Sequence, residues 1–193
     1  MIMTIVGTDG KHRCFGGQAG KEFYGEYHDR EWGVPVHDDR LLFENLILEG
    51  AQAGLSWETV LRKRDGYRTA FHDFDIGRCA AMGDAELDAL REEPAIIRNR
   101  LKIHSVRKNA LVFLEMQSEF GSFDAWLWDH LDGNPPVNRP LHFSDMATTS
   151  PISDAISRTL KKRGMSFVGS TIIYAYMQAI GMTDDHLADC WKA

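Results

Sequence analysis

The sequence of 193 residues holds only three cysteines, Cys14, Cys79 and Cys190. An odd number in a reducing compartment argues against a disulfide framework. A basic excess is missing too: the net charge of −6 excludes a global positive field, so any contact with nucleic acid has to be a local patch. The opening stretch MIMTIVGTDGK is too short in apolar residues for the core of a signal peptide, and a cytoplasmic protein is expected. One uncharged stretch, Gly164 to Thr183, has the length of a membrane span. Its three glycines, its hydroxyl residues and Gln178 make it a buried hairpin and helix instead. No useful alternation of period two and no internal repeat is present, so the class expected is all-α. With 44% hydrophobic and 26% charged residues, the composition is that of an ordinary soluble globule of one domain or two small lobes.

What is present centres on Tyr27 to Trp57. Asp38 or Asp39 caps a helix carrying Leu41, Leu42, Phe43, Leu46, Ile47 and Leu48, apolar almost all round, with Arg40 and Glu44 as its one polar edge. At about 100° per residue, Leu46, Glu49 and Ala53 fall within roughly 40° of Leu42, so Glu49 points inward. A buried carboxylate needs a cation, donors or a proton. A structural ion pair with an arginine would satisfy it equally well. Small residues Gly50, Ala51, Ala53 and Gly54 open space beside it, and Gly54 to Trp57 reads as a helix stop, a turn and a new N-cap.

Residues 1–13 read as a loose leader. After the central helix, Ser56 caps a helix that Gly66 ends, and Asp84 caps another that runs to Glu93 before Pro94. Leu101 to about Glu119 forms a helical stripe with a basic first half between Arg98 and Lys108. A Trp-rich helix follows, and the turn-rich stretch from there to Thr149 is the candidate linker between lobes. Ser150 and Pro151 start a helix that Gly164 stops. Another helix runs from about Gly169 to Ile180, and Thr183 caps a final one holding His186 and Cys190.

Two constellations carry chemistry. The spacing from His186 to Cys190 suits two ligands of one tetrahedral ion, and Cys14 with His28 is the pair that would complete a closed, structural zinc site. On spacing alone, a core cysteine and ordinary histidines explain these residues too. Lys161, Lys162, Arg163 and Gly164 lead through a short link to Gly169 and a helix start, a combination that can hold a phosphate. Cations that merely stabilise a helix C-terminus are the plainer explanation.

Together, Cys14, YHDREWGVP (27–35), LEGAQAGLSW (48–57), FHDFD (71–75), KKRGMSFVGSTIIYAYMQAIG (161–181) and DDHLADC (184–190) closely resemble the 3-methyladenine DNA glycosylase I family. The resemblance covers about residues 12–190. It implies a single helix-hairpin-helix glycosylase domain over residues 1–193, two helical lobes tied at their chain ends by one structural zinc on Cys14, His28, His186 and Cys190. It implies a base pocket of Tyr27, Glu49 and Trp57, with Glu49 as the residue governing catalysis. Gly54 and Leu55 are the candidates to fill the gap left by a flipped base. Lys161, Lys162, Arg163, Gly164 and Gly169 are expected at the DNA backbone. The implied enzyme is a monomer that hydrolyses the N-glycosidic bond of N3-methyladenine in double-stranded alkylated DNA, releasing 3-methyladenine and leaving an abasic site. A binding module for damaged bases and a zinc-stapled protein scaffold are the competing classes. The chain departs from the family's pattern at Gly16, where members carry Trp, and at Phe167, where the wider superfamily often has Gly.

Overall fold

A computed structural model describes residues 4–131 and 133–193. Its described residues fall into two compact units, one drawn from residues 1–36, 131–148 and 177–193, the other from 37–130 and 149–176.

The first unit contains β1 (Ile5–Val6) and β2 (His12–Arg13), which pair antiparallel with Ile5 opposite Arg13, and α1 (Glu22–Arg30). The described part of the leader is therefore a hairpin; Met1 to Met3 lie outside the described residues. Two-residue strands carry no readable alternation. The backbone of Trp191 donates to His12 O at 2.9 Å, and Lys11 Nζ lies 3.8 Å from the Trp191 ring centroid, so the hairpin is held to the far end of the chain.

The turn-rich stretch before Thr149 is no free linker, because it pairs with the C-terminal segment of this same unit. Asp184 N donates to Pro136 O (2.8 Å), Asn138 N to Asp184 O (2.9 Å) and Ala188 N to Pro140 O (3.0 Å). Those bonds also explain why the helix expected after Thr183 is absent. Main-chain groups that an α-helix would use internally are spent on a neighbouring segment, and residues 183–193 run as turns and extended chain.

In the second unit, α2 (Asp39–Gln52) begins where Asp38 accepts from Leu41 N at 2.9 Å. Gly54 follows it at φ +82°, and the turn closes with Leu55 N on Gln52 O at 2.6 Å. Ser56 caps α3 (Trp57–Leu61). That helix ends at Leu61, and Gly66 lies inside the next one, α4 (Arg64–Ala70). The glycine is there for contact: a β-carbon at 66 would lie 2.3 Å from Ala95 O.

Then come α5 (Ile76–Ala81) and α6 (Asp84–Ala89). Gly83, with no side chain to offer, occupies the N-cap of α6, and Asp84 is its first residue. Beyond Ala89 only a single 3₁₀ turn, Leu90–Glu92, precedes Pro94. The long α7 (Arg100–Phe120) starts at the Asn99 cap, which accepts from Lys102 N, and α8 (Phe123–Trp128) starts at Ser122. Pro151 and the Ser150–Ser153 capping box open α9 (Pro151–Lys162), whose inward residues Ser153, Ile156, Ser157 and Leu160 follow helical spacing. Gly164 at φ +100° ends it, and α10 (Ser170–Ala179) follows.

The core of this unit is aromatic and aliphatic. Phe113 stacks on Phe123 at 3.9 Å between centroids and meets Phe43 edge-on at 5.3 Å, with Leu42, Leu46, Ile103 and Leu160 buried in the same unit. Each such side chain contributes about 1.5–3 kcal/mol by leaving water. No helix among the described residues is long and apolar enough to cross a membrane.

Candidate functional site

In the first unit, residues from opposite ends of the chain meet. One donor atom from each of Cys14, His28 and Cys190 lies within 4.8 Å of the others, and all three residues are buried. His28 sits on α1 with Nδ1 on Asp29 Oδ1 at 2.8 Å, which leaves Nε2 for the two thiols. That Nε2 accepts from Cys14 N at 3.3 Å and lies 3.3 Å from Cys190 Sγ, while Cys14 Sγ accepts from Leu187 N at 3.3 Å. The hydrogen bond with Cys14 lowers the Cys190 thiol despite burial, and the same contact together with burial raises Cys14.

His186 stands beside this trio rather than inside it. Its ring centroid is 5.3 Å from that of His28, edge to face. Its Nδ1 is taken by Asp184 at 2.7 Å, and its Nε2 is buried with no hydrogen-bond partner. Burial, outweighing the pull of Asp184, lowers its pKa and favours the neutral ring. Two sulfurs, one imidazole nitrogen directed at them and a second orphaned nitrogen close by form a donor set suited to a tetrahedral soft or borderline cation. Tyr27, also on α1, is buried beneath Phe15 and Tyr24 in a stacked aromatic layer.

In the second unit, Glu49 lies near the end of α2 and is 4% exposed. Burial pushes its pKa to about 8, and among the described residues no cation or donor offsets this. The arginine partner that a structural reading would require belongs instead to Glu44, five residues earlier. The carboxylate of Glu44, on the polar edge of α2, is fully buried. Its Oε1 receives Arg64 Nε at 2.5 Å and Arg68 Nη2 at 2.9 Å, and Arg40 Nη1 is 3.9 Å from Oε2. The sequence could not show this, since the arginines on α4 lie 20 and 24 residues further along.

The space at Gly50 is also used differently. A β-carbon there would sit 3.1 Å from Phe167 Cβ, so the glycine admits the hairpin rather than a ligand. Trp57, partly buried, opens α3 just past the turn, and Leu55 at the turn's tip is 40% exposed. Lys102 Nζ holds that turn from α7, donating to Ala51 O and Ala53 O at 2.8 Å each.

The hairpin between α9 and α10 is braced from α7. Asn109 bonds both main-chain groups of Ser166 (2.9 and 3.0 Å), and Ser157 Oγ donates to Val168 O at 2.7 Å. Phe167, where the superfamily pattern has glycine, adopts φ +58°, the left-handed conformation a glycine there would take without cost. Lys161 and Lys162 are exposed, whereas Arg163 makes a bidentate pair with Glu119 at 2.7 and 2.9 Å. The rival basic stretch is largely consumed by the chain itself: Arg100 and His104 pair with Asp88, and Arg107 with Asp84. A cavity of about 460 Å³ lies between α7 and the hairpin, lined by Leu101, His104, Lys108, Ser166 and Phe167 among others.

The sequence reading missed the residues that orient the two histidines, Asp29 and Asp184. One signal was available, since each stands within two residues of its histidine.

The sequence matches the methyladenine glycosylase family over residues 18–193. It is 44% identical over 170 residues to the DNA-3-methyladenine glycosylase of Haemophilus influenzae, spanning 88% of this chain and 92% of that one. Identity to DNA-3-methyladenine glycosylase 1 of Escherichia coli is 45% over 167 residues, 86% of this chain and 89% of that one. A solved structure of 3-methyladenine DNA glycosylase I from Staphylococcus aureus, concerned with 3-methyladenine recognition, aligns with a TM-score of 0.84 at 36% identity. That alignment covers 87% of this chain and 89% of that chain.

Proposed function

The chain belongs to the methyladenine glycosylase family, and on that premise we propose that it excises N3-methyladenine from alkylated double-stranded DNA, leaving an abasic site. The observation that carries the reading is Glu49, a carboxylate buried without a compensating cation and held by burial at a pKa of about 8. At neutral pH Glu49 therefore keeps its proton in the free protein, and a positive charge arriving beside it favours the ionised carboxylate. N3-methylation makes adenine cationic in the nucleotide, and a cationic base draws Glu49 into its carboxylate form and pairs with it, which neutral adenine cannot do. Selection is thus electrostatic and favours the lesion.

The chemistry then asks little of a general base. As the glycosidic bond breaks, its electron pair returns to the ring and the base departs neutral. A water oxygen bonds to the sugar carbon and releases its proton to solvent. Trp57, at the start of α3 in the same unit as Glu49, is assigned to a ring face. Stacking and cation–π attraction there contribute about 1–2 kcal/mol for a desolvated cation. Extruding the base costs a few kcal/mol of unstacking. Leu55, exposed on its turn beside Gly54, supports the role of gap-filling wedge. The Gly164–Gly169 hairpin, with Lys161 and Lys162 beside it, is assigned to a backbone phosphate through main-chain amides, and Arg163 to a lesser share because Glu119 already holds it.

Cys14, His28, His186 and Cys190 would hold one zinc ion per chain. The S₂N₂ donor set and the orphaned Nε2 of His186 support this reading. A closed set of four leaves no position for reacting water, so the ion would contribute binding energy to folding and no acid catalysis. The enzyme so described works as a cytoplasmic monomer on duplex DNA.

The test is release of free bases from methylated DNA together with titration of 3-methyladenine into wild type and Glu49→Gln. Wild type is expected to release 3-methyladenine. The near-isosteric Gln is expected to weaken binding of the free base by about 1–3 kcal/mol, the scale of a hydrogen bond to a charged group. Equal affinities at matched folded fraction would remove Glu49 from the pocket.

A further inference from the structure

Both histidines of the cysteine–histidine cluster are held in the same way by residues that take no part in the cluster. His28 Nδ1 meets Asp29 Oδ1 at 2.8 Å, and Asp29 is in turn gripped by Arg13, Nε to Oδ1 at 2.9 Å and Nη2 to Oδ2 at 2.7 Å. Trp191 Nε1 adds a third donor to the same Oδ1 at 3.0 Å. Arg13 is itself fixed from the N-terminal hairpin, where Asp9 takes Nη1 at 2.8 Å and Nη2 at 2.7 Å. On the other side, His186 Nδ1 meets Asp184 Oδ1 at 2.7 Å, that oxygen also accepts from His186 N at 3.1 Å, and Arg139 Nη1 lies 2.6 Å from it. Arg139 reaches Asp184 from a left-handed backbone, φ +49°. That conformation costs a residue with a β-carbon roughly 1–2 kcal/mol and persists only where its surroundings fix it.

We propose that Asp29 and Asp184 are the positioning residues of the metal site, each anchored by its own arginine, Arg13 or Arg139, and that these two relays set how tightly the ion is kept. The proposal rests on the zinc reading above. A carboxylate on Nδ1 fixes the proton there, turns Nε2 toward the metal and raises its basicity. An arginine behind the carboxylate locks its rotamer, so the imidazole need not be ordered when the ion binds. Two independent relays on the two histidines do this from different segments. One uses the hairpin ahead of residue 14, the other the stretch around residue 139, which ties the retention of the ion to parts of the chain that never touch it.

The test uses the zinc-loaded full chain challenged with a colorimetric chelator, and the cobalt-substituted protein for its visible absorption. Asp29→Asn and Asp184→Asn are expected to lower zinc affinity about 10- to 100-fold each, the range for outer partners of metal-bound histidine. The cobalt band positions should shift as ligand strength falls. Asp145→Asn, which changes a carboxylate on an exposed turn away from the cluster, should leave both readouts at wild-type values. A merely structural pair would lower the melting temperature of metal-free and metal-loaded protein alike and leave the cobalt spectrum unmoved. Zinc affinities within twofold of wild type in the Asn variants overturn the proposal. Should Asp29→Asn fail to fold, Arg13→Lys and Asp184→Asn decide on the same readouts, because Lys keeps the charge and loses the two-pronged grip. A wild-type chain that takes up no zinc would overturn the metal reading itself, an outcome distinct from zinc retained equally by every variant.

Discussion

Glu44 and Glu49 lie one turn and a half apart on α2, at 0% and 4% exposure, and their surroundings could hardly differ more. Around Glu44, Arg64 and Arg68 supply hydrogen bonds and Arg40 a longer ion pair, so its charge is answered within the fold. Around Glu49 nothing described answers it, and its proton stays on to a pH of about 8. The pair teaches that burial alone does not separate a structural acid from a functional one. What separates them is whether the counter-charge comes from the chain or has to be brought in.

The largest effect that would sharpen this contrast is at Glu44. Glu44→Gln leaves Arg64 and Arg68 facing a neutral amide in a buried place, and a loss of about 3–5 kcal/mol is expected in urea unfolding. Base selection in the folded fraction should be unchanged. Equal losses of stability at Glu44→Gln and Glu49→Gln at neutral pH would dissolve the distinction.

Next is the pH dependence that Glu49 imposes. Between its ordinary value of 4.5 and about 8, the folded chain keeps a proton that the unfolded chain has released. Its contribution to stability is therefore complete below pH 4.5, declines as pH rises through that window and is flat above 8. The difference between Glu49→Gln and wild type should grow across the window in favour of Gln, to at most about 5 kcal/mol. A difference that stays constant with pH would mean that Glu49 is ionised and paired in the free protein.

The smallest effect concerns cations instead of acids. Lys161 and Lys162 are exposed while Arg163 is held by Glu119, so the same rule predicts which of them DNA can use. Changing both lysines to Ala should weaken binding to all sequences and lower the salt slope by about 2, and Arg163→Ala should lower it by less than 1. A larger change from Arg163→Ala would show that DNA draws it away from Glu119.

Much of this was legible beforehand where the cause is local. The Asp38 cap, the Gly54 turn, the Ser150–Pro151 start and the inward aim of Glu49 all follow from residues within a few positions of one another. The grouping of Cys14, His28 and Cys190 was expected for another reason, the family resemblance, because their spacing alone suits a core cysteine and ordinary histidines too. What escaped was settled at a distance. Glu44 read only as half of a polar edge with Arg40, because the two arginines that hydrogen-bond to it, Arg64 and Arg68, lie on another helix. Gly66 looked like a helix stop because Ala95, which presses on it, is far along the chain. The helix expected after Thr183 lost to main-chain bonds with residues 136–140. A strand pair of two residues each carries too little pattern to be read at all.

The Phe167 conformation, set beside Gly50, bears on how this sequence can drift. A phenylalanine is kept in a backbone shape that suits glycine, and its β-carbon takes the space that any side chain at position 50 would need. The two positions therefore constrain each other as a pair. Alanine at 50 would ask Phe167 to give way by a few tenths of an ångström, whereas glycine at 167 would remove both the crowding β-carbon and the left-handed strain, so a change at 167 eases a later change at 50.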